Sequence, residues 1–209
     1  MNSYKDITNS WVYRAMLLED IEESQGYFTT TVALVTSSFE GKRNVMSAEW
    51  SLRVSLEPFL MAVFVGYQRE TYRLIRGSGE YGLSYCSDKQ GHLAHIAGNY
   101  SLKDRDKFSM SNFPIKNSKH ISAPLIDGSI SCFECRVIDE FKVGDHAAFI
   151  GKVLTAYYDP DALPLVFHNG KFWKLGERSI YPDSPFLGEK FNLPDAVKLC
   201  QFQERQYFH

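Results

Sequence analysis

No stretch of this sequence is long and apolar enough to cross a bilayer. The opening residues, MNSYKDITNSWVYRAML, lack the basic region, apolar core and cleavage site of a secretory signal. Cytoplasmic residence without membrane contact is the expectation. Charge of one sign is missing too. The formal net charge is -2 and the pI near 6.3, so no basic field invites nucleic acid or an anionic lipid surface. Any anion must be held by a local site. Cysteine is sparse, with 4 in the chain. Cys132 and Cys135 have CxxC spacing, but they fall in CFECRVIDE, a predicted strand, where residues three apart face opposite ways. No second CxxC completes a four-thiolate site, and Cys86 and Cys200 stand alone. All of them are expected to be free thiols in a reducing compartment.

The common catalytic signatures are absent as well. There is no GxSxG elbow, no HExxH, no Walker phosphate loop and no GxGxxG after a strand. The glycines of GSGE, residues 77–80, follow a helical pattern and precede a strand, the reverse of a dinucleotide fingerprint. His92 and His95 stand at i and i+3 on a predicted helix, but no third ligand accompanies them, and no metal is expected.

What the chain has is an ordinary globular balance, 44% hydrophobic and 23% charged over 209 residues, with 12 Tyr and 15 Phe that suit sheet structure or a flat pocket. One domain over 1–209 is expected, its core at about 25–176, followed by a tail carrying Pro182, Pro185 and Pro194 that packs over the body or reaches a partner subunit. Residues 11–18 read as a strand or short helix. Residues 28–37 are dense in β-branched side chains and read as a strand, EGK at 40–42 as a tight turn, and 59–65 as a strand covered on both faces. Thr71, Leu74 and Ile75 then share a helical face, with Gly77 and Gly79 as the stop. Residues 81–86 form a short strand. Asp88 is placed to cap a helix carrying Leu93, Ile96 and Ala97 that ends at Gly98, and a helical turn at 103–110 brings Phe108 inward with Asp104 or Asp106 at its start. After an irregular crossing at 111–131 come two long strands joined at VGD, the second being 146–158 with a bulge at Gly151, and a last hairpin about HNG. Many short strands with few helices describe a barrel.

Between the strands at 28–36 and 59–66 lies GKRNVMSAEWSLRVSLEP. Asn44, Ser47, Ser51 and Ser55 supply hydrogen-bonding groups, Trp50 a flat ring, and Arg43 and Arg53 charge. It reads either as an ordinary strand with polar neighbours or as the cradle of a planar anionic cofactor. GYQRETYRLIRG adds Arg69 at a strand-to-helix junction and Thr71 in the helix's first turn, where free backbone N–H groups join an arginine and a hydroxyl. Together they suggest a phosphate clamp beside a ring-binding wall.

These segments also resemble a known family. TTTVALVTSSFEGKRNVMSAEWSLRVSLEPFLMAVFVG, RETYRLIRGSGEYGLSYC, HLAHIAGNYSLKDRDKF, APLIDGSISCFECRV and VGDHAAFIGKV are similar, in order and spacing, to blocks of the flavin-reductase-like, FMN-binding split-barrel family, in its flavoredoxin-like branch. The resemblance implies a mainly β fold, a Greek-key split β-barrel with short helical insertions, normally a homodimer with FMN near the subunit interface. It places Asn44, Ser47, Ala48, Glu49, Trp50, Ser51 and Ser55 around the flavin and Arg69 and Thr71 near its phosphate, with Lys107 and His146 at positions close to the pocket. The chain departs from the family at Phe59, where a second proline often stands, and in YGLSY, where Ser84 replaces an asparagine.

The activity implied is hydride transfer from NADH or NADPH to FMN, with onward electron transfer to an iron complex or a protein acceptor. No obligatory protein nucleophile is needed, since the flavin carries the redox chemistry. His146 is a candidate proton relay or a member of a hydrogen-bond network. Trp50 either stacks near the flavin or supports the barrel wall. Two other readings stay open: an FMN electron carrier without enzymatic activity, and a split-barrel ligand-binding protein without redox function.

Overall fold

The computed structural model describes residue 24 and residues 26–176. The predicted element at 11–18, the tail and Cys200 lie outside the described residues. Thr30–Thr31 (β1) and Ala33–Phe39 (β2) are followed by Lys42–Ala48 (β3), Ser51–Ser55 (β4) and Leu60–Gly66 (β5). Glu70–Ser78 (α1), Glu80–Tyr85 (β6), Gly91–Asn99 (α2) and Lys107–Met110 (α3) come next. Ile115–Lys116 (β7), Leu125–Ile126 (β8), Ser131–Val143 (β9), His146–Tyr158 (β10), Leu165–His168 (β11) and Lys171–Lys174 (β12) complete the order. Among the described residues, no helix is long and apolar enough to cross a membrane.

One antiparallel sheet of 7 strands dominates, in the order β3-β2-β6-β9-β10-β5-β4. Its two outermost strands, β3 and β4, are neighbours in sequence, joined through Glu49 and Trp50 alone. A link that short forces the two edges of the sheet to meet at that end, so the sheet curls into a barrel split along the β3–β4 seam. The fold class is that expected: mainly β, with short helices inserted between strands.

Alternation along β2 explains why both of its faces are apolar. Ala33 and Val35 point into the barrel with Val63, Tyr81, Leu83 and Phe149. Leu34 joins an outer cluster with Val45, Leu93, Ala97 and Phe108 under α2 and α3. Each face is buried, so no polar face is left to write into the pattern. The expected strand at 28–37 is interrupted at Val32, whose N–H donates to Leu165 O (3.3 Å) while its carbonyl accepts from Cys86 N (2.8 Å). The chain therefore serves two sheets: β1 pairs with β11, and β2 with β3 and β6.

Several local expectations hold. The 40–42 turn has Glu40 and Gly41 at positive φ, and β10 shifts register at Gly151. A Cβ at Gly151 would sit 2.5 Å from Tyr81 Oη and 2.8 Å from Cys135 Cβ, so the bulge makes room for Tyr81, which donates to Met61 O (2.9 Å) inside the barrel. Asp106 caps α3 by accepting from Phe108 N (3.1 Å).

Others need correction. Gly77 does not stop α1; it lies within the helix, because a Cβ there would meet the Phe39 ring at 2.5 Å. The left-handed Gly79 is the terminator, its N–H donating to Ile75 O at 2.8 Å. Asp88 does not cap α2, since its carboxylate pairs with Lys174 (3.1 Å). The Ncap position belongs to Gln90, whose side chain instead accepts from Ser87 N and donates to Asp127 O. Gly98 likewise falls inside α2. The irregular crossing is pinned by the fully buried Glu134, which accepts from Lys119 N (2.9 Å) and His120 N (2.7 Å). Those backbone bonds satisfy a carboxylate that would otherwise be costly to bury.

Candidate functional site

At the open end of the seam, β3, the start of α1, the end of α2 and the start of α3 converge on a cavity of about 270 Å³. It exists because the chain turns sharply after β5. Arg69 N donates to Gly66 O (2.9 Å), and α1 begins at once, so its first turn faces β3. Across that gap Asn44 Nδ2 donates to Thr71 Oγ1 at 2.9 Å. Both side chains are nearly sealed, at 3% and 1% exposure, yet Asn44 Oδ1 has no partner. Arg69 is the N-cap residue of α1 and makes no side-chain cap. The helix's leading N–H groups are thus left without a capping side chain at the cavity wall, where the helix dipole favours negative charge.

Lys107 approaches the same corner from α3. Its ammonium donates to Val45 O (2.5 Å) and Ala97 O (3.1 Å). Burial, and secondarily the charge of Arg69, lower its pKa to about 8. At neutral pH it therefore remains a cation, and two carbonyls use two of its three donors. A buried ammonium, a nearby guanidinium, a hydroxyl and a helix N-terminus in one corner form an anion-binding arrangement.

The opposite wall is flatter. Ser47, Ala48, Glu49 and Trp50 line it from the β3–β4 junction, and Gly98 lets α2 come close, its notional Cβ 3.4 Å from Ser47 Cβ. Trp50 and His146 pack with ring centroids 4.7 Å apart at 47°. His146 Nδ1 is 2.7 Å from Asp145 Oδ1, an interaction that lowers the Asp145 pKa. Desolvation raises the pKa of Glu49 at the rim. Beyond Trp50 and His146 opens a second, mostly apolar cleft of about 710 Å³, with Phe28, Leu52 and Val143 in its wall.

The structure gathers Asn44, Ser47, Ala48, Glu49, Trp50, Arg69, Thr71, Lys107 and His146 around the first cavity. Ser51 lines only the apolar cleft. Ser55, at the far end of β4, lines neither cavity. Ser84 is also remote from both; it is fully buried, and its Oγ accepts from Ile126 N (3.0 Å), tying β6 to β8. Reading the sequence missed Gln68, Glu70, Tyr100, Ser101 and Leu102 in the cavity wall. Gln68 and Glu70 flank Arg69 and were within reach of a reading that follows the whole turn. The 100–102 loop carries no periodicity and only tertiary packing brings it in. Three of the cysteines, Cys86, Cys132 and Cys135, are buried free thiols.

Known proteins resemble this chain in sequence and in fold. The model of the flavin reductase like domain matches residues 25–176. An NADH-dependent flavin reductase from Rhodococcus is 30% identical over 159 residues, covering 74% of this chain and 85% of the relative. The structure of flavin reductase PheA2 in its native state superposes with a TM-score of 0.67 at 26% identity, covering 78% of this chain and all of the other. The NADH:FAD oxidoreductase SgcE6 of Streptomyces globisporus C-1027, solved in complex with NAD and FAD fragments, gives a TM-score of 0.68 at 26% identity. The match covers 79% of this chain and 94% of that one.

Proposed function

This chain belongs to the flavin reductase like domain family, and from that premise we propose that it is an oxidoreductase passing hydride from NADH or NADPH to FMN. The observation that carries the reading is the corner where Asn44 bonds Thr71 and keeps an unpartnered buried oxygen beside Lys107 and the uncapped start of α1. These residues suit a phosphorylated flavin. Arg69, Lys107, the Thr71 hydroxyl and the first-turn N–H groups would hold the phosphate. Asn44 Oδ1 is an acceptor waiting for a hydroxyl or N–H donor. The wall from Ser47 to Trp50 would lie against the ring.

When bound, FMN supplies the hydride-accepting chemistry. The chain's part is placement. Phosphate contacts at one end would hold a bound flavin so that its ring could lie against the β3–β4 junction, where N–H and hydroxyl donors would favour a ring that gains negative charge. With Nδ1 engaged by Asp145, the Nε2 of His146 is left to make a hydrogen bond at the boundary between the two cavities. The packed Trp50 and His146 rings stand between the two cavities and would limit a bound ring on the side of the apolar cleft.

The apolar cleft supports a homodimer. Phe28, Trp50, Leu52 and Val143 are exposed there, and β4 is a sheet edge. Such an edge needs covering, and a second copy would cover it next to the flavin cavity. Light scattering during gel filtration tests the assembly.

Anaerobic mixing of the FMN-loaded protein with NADH, and separately with NADPH, tests the activity. Bleaching of the flavin absorbance near 450 nm, within about seconds or faster as turnover numbers of roughly 1 per second and above require, is expected with at least one donor. A spectrum unchanged by both would mark a carrier reduced by another protein. Protein that retains no flavin at all would favour a ligand-binding split barrel.

A further inference from the structure

Two carboxylates stand in the wall of the first cavity, and only one has company. Glu70 faces Arg73 at 3.1 Å and Lys103 at 3.6 Å, so its charge is committed within the protein. The Glu49 carboxylate makes no ion pair and no hydrogen bond among the described residues. Desolvation alone raises its pKa, with no neighbouring charge contributing. The strong cations of the cavity, Arg69 and Lys107, belong to the α1 corner rather than to the β3–β4 junction.

Glu49 also has little room to withdraw. With Trp50 it forms the entire link between β3 and β4. Ala48 on one side pairs with Ala33, Ser51 on the other pairs with Val63, and Phe64 N donates to Trp50 O at 3.0 Å. The Glu49 backbone is therefore held where the first cavity meets the apolar cleft, and the residue lines both, as do Trp50, Phe64 and His146. A planar ring laid over this wall would displace water from the carboxylate and strengthen its field.

The oxidised flavin ring is neutral, and a hydride added to it leaves one negative charge until a proton follows. Hydrogen-bond donors on the wall favour that charge, whereas an unpaired carboxylate in the same wall opposes it. We propose that Glu49 discriminates between the two redox states, weakening the hold on reduced flavin relative to oxidised flavin and so lowering the potential of the bound ring. The inference rests on the reading of the first cavity as a flavin site with its ring along Ser47 to Trp50. Affinity and potential belong to one cycle: each tenfold preference for the oxidised form lowers a two-electron potential by about 30 mV. A unit charge roughly 10 Å from the ring, at an effective dielectric constant of about 20, gives a factor of about that size. The bound reduced ring becomes a stronger electron donor toward the acceptor that follows.

The experiment titrates the apo-protein anaerobically with oxidised FMN and with dithionite-reduced FMN near neutral pH, following protein fluorescence. Parent, Glu49→Gln and Glu49→Asp are compared, and circular dichroism checks that each is folded. Arg69, Lys107, Glu70 with its two cations, and His146 with Asp145 are unchanged in all three, so the glutamine variant reads the carboxylate alone. The ratio of reduced to oxidised dissociation constants is expected to fall about tenfold in Glu49→Gln, and the midpoint potential of the bound flavin to rise by about 30 mV. Glu49→Asp should stay near the parent. Three results would overturn the proposal. A ratio and potential in Glu49→Gln within twofold and about 10 mV of the parent leave the flavin reading standing and remove this one. Equal changes in both affinities make Glu49 a contact blind to the redox state. Binding of neither form of FMN by the parent removes both readings.

Discussion

Replacing Lys107 by methionine separates a ligand-binding role from a structural one, because the two roles pull stability and affinity apart. Burial holds the Lys107 pKa at about 8 against an ordinary 10.5. At about 1.4 kcal/mol per pH unit, that displacement corresponds to roughly 3 kcal/mol charged against the folded apo-protein at neutral pH. The sign follows from proton counts. Between about pH 8 and 10.5 the unfolded chain binds more protons at this site than the folded one. The cost is therefore fully present below pH 8 and is relieved as pH rises through that window. Methionine removes the cost but leaves the Val45 and Ala97 carbonyls without their donor, a loss of about 1 kcal/mol each. The two effects nearly cancel, so Lys107→Met should unfold within about 2 kcal/mol of the parent.

Affinity should behave differently. A charge-assisted contact to phosphate contributes about 1.5–3 kcal/mol, which is roughly tenfold to a hundredfold in the FMN dissociation constant. Riboflavin, which has no phosphate, serves as the control and should bind parent and variant alike. The parent's FMN affinity should also weaken above about pH 8, where the free site loses its ammonium, and the variant's should lack that step. Urea denaturation and fluorescence titration at several pH values supply both readouts. A variant that loses more than about 4 kcal/mol of stability while holding FMN as before would refute the reasoning, because such losses mark a structural group.

Other expectations follow from the same geometry. Arg69→Ala should weaken FMN binding about tenfold with little change in unfolding, since the side chain is exposed and pairs with no carboxylate among the described residues. Gly151→Ala should destabilise the fold by about 1–3 kcal/mol, read from the urea midpoint, because the new methyl meets Tyr81 and Cys135 inside a packed barrel. Cys132→Ser should leave flavin reduction unchanged in anaerobic stopped flow, as its buried thiol donates to Ile126 O and lines neither cavity.

How much of this was written in the sequence varies with the range of the interaction that decides it. The 40–42 and 169–170 turns, the helix face of Thr71, Leu74 and Ile75, and the Gly151 bulge rest on local chemistry and were legible. The glycines at 77 and 98 were misread as helix stops; at 77 it is the packed Phe39 ring that excludes a side chain, while at 98 an added Cβ would only touch Ser47. Both partners are remote in sequence. Asp88 misled for a similar reason: a carboxylate just before a helix resembles a cap, but a lysine 86 positions later, Lys174, claims it. At the site, polar residues on β3 and at the start of α1 were visible as two separate groups. Their meeting through Asn44 and Thr71 is a property of the split barrel, as is the wall contributed by the 100–102 loop.

The most direct measurement is a crystal structure of the protein with FMN. The phosphate is expected within hydrogen-bond distance of Thr71 Oγ1 and Lys107 Nζ, with the ring along Ser47 to Trp50. A flavin phosphate bound away from that corner, with Asn44 Oδ1 still unpartnered, would contradict the assignment of the site.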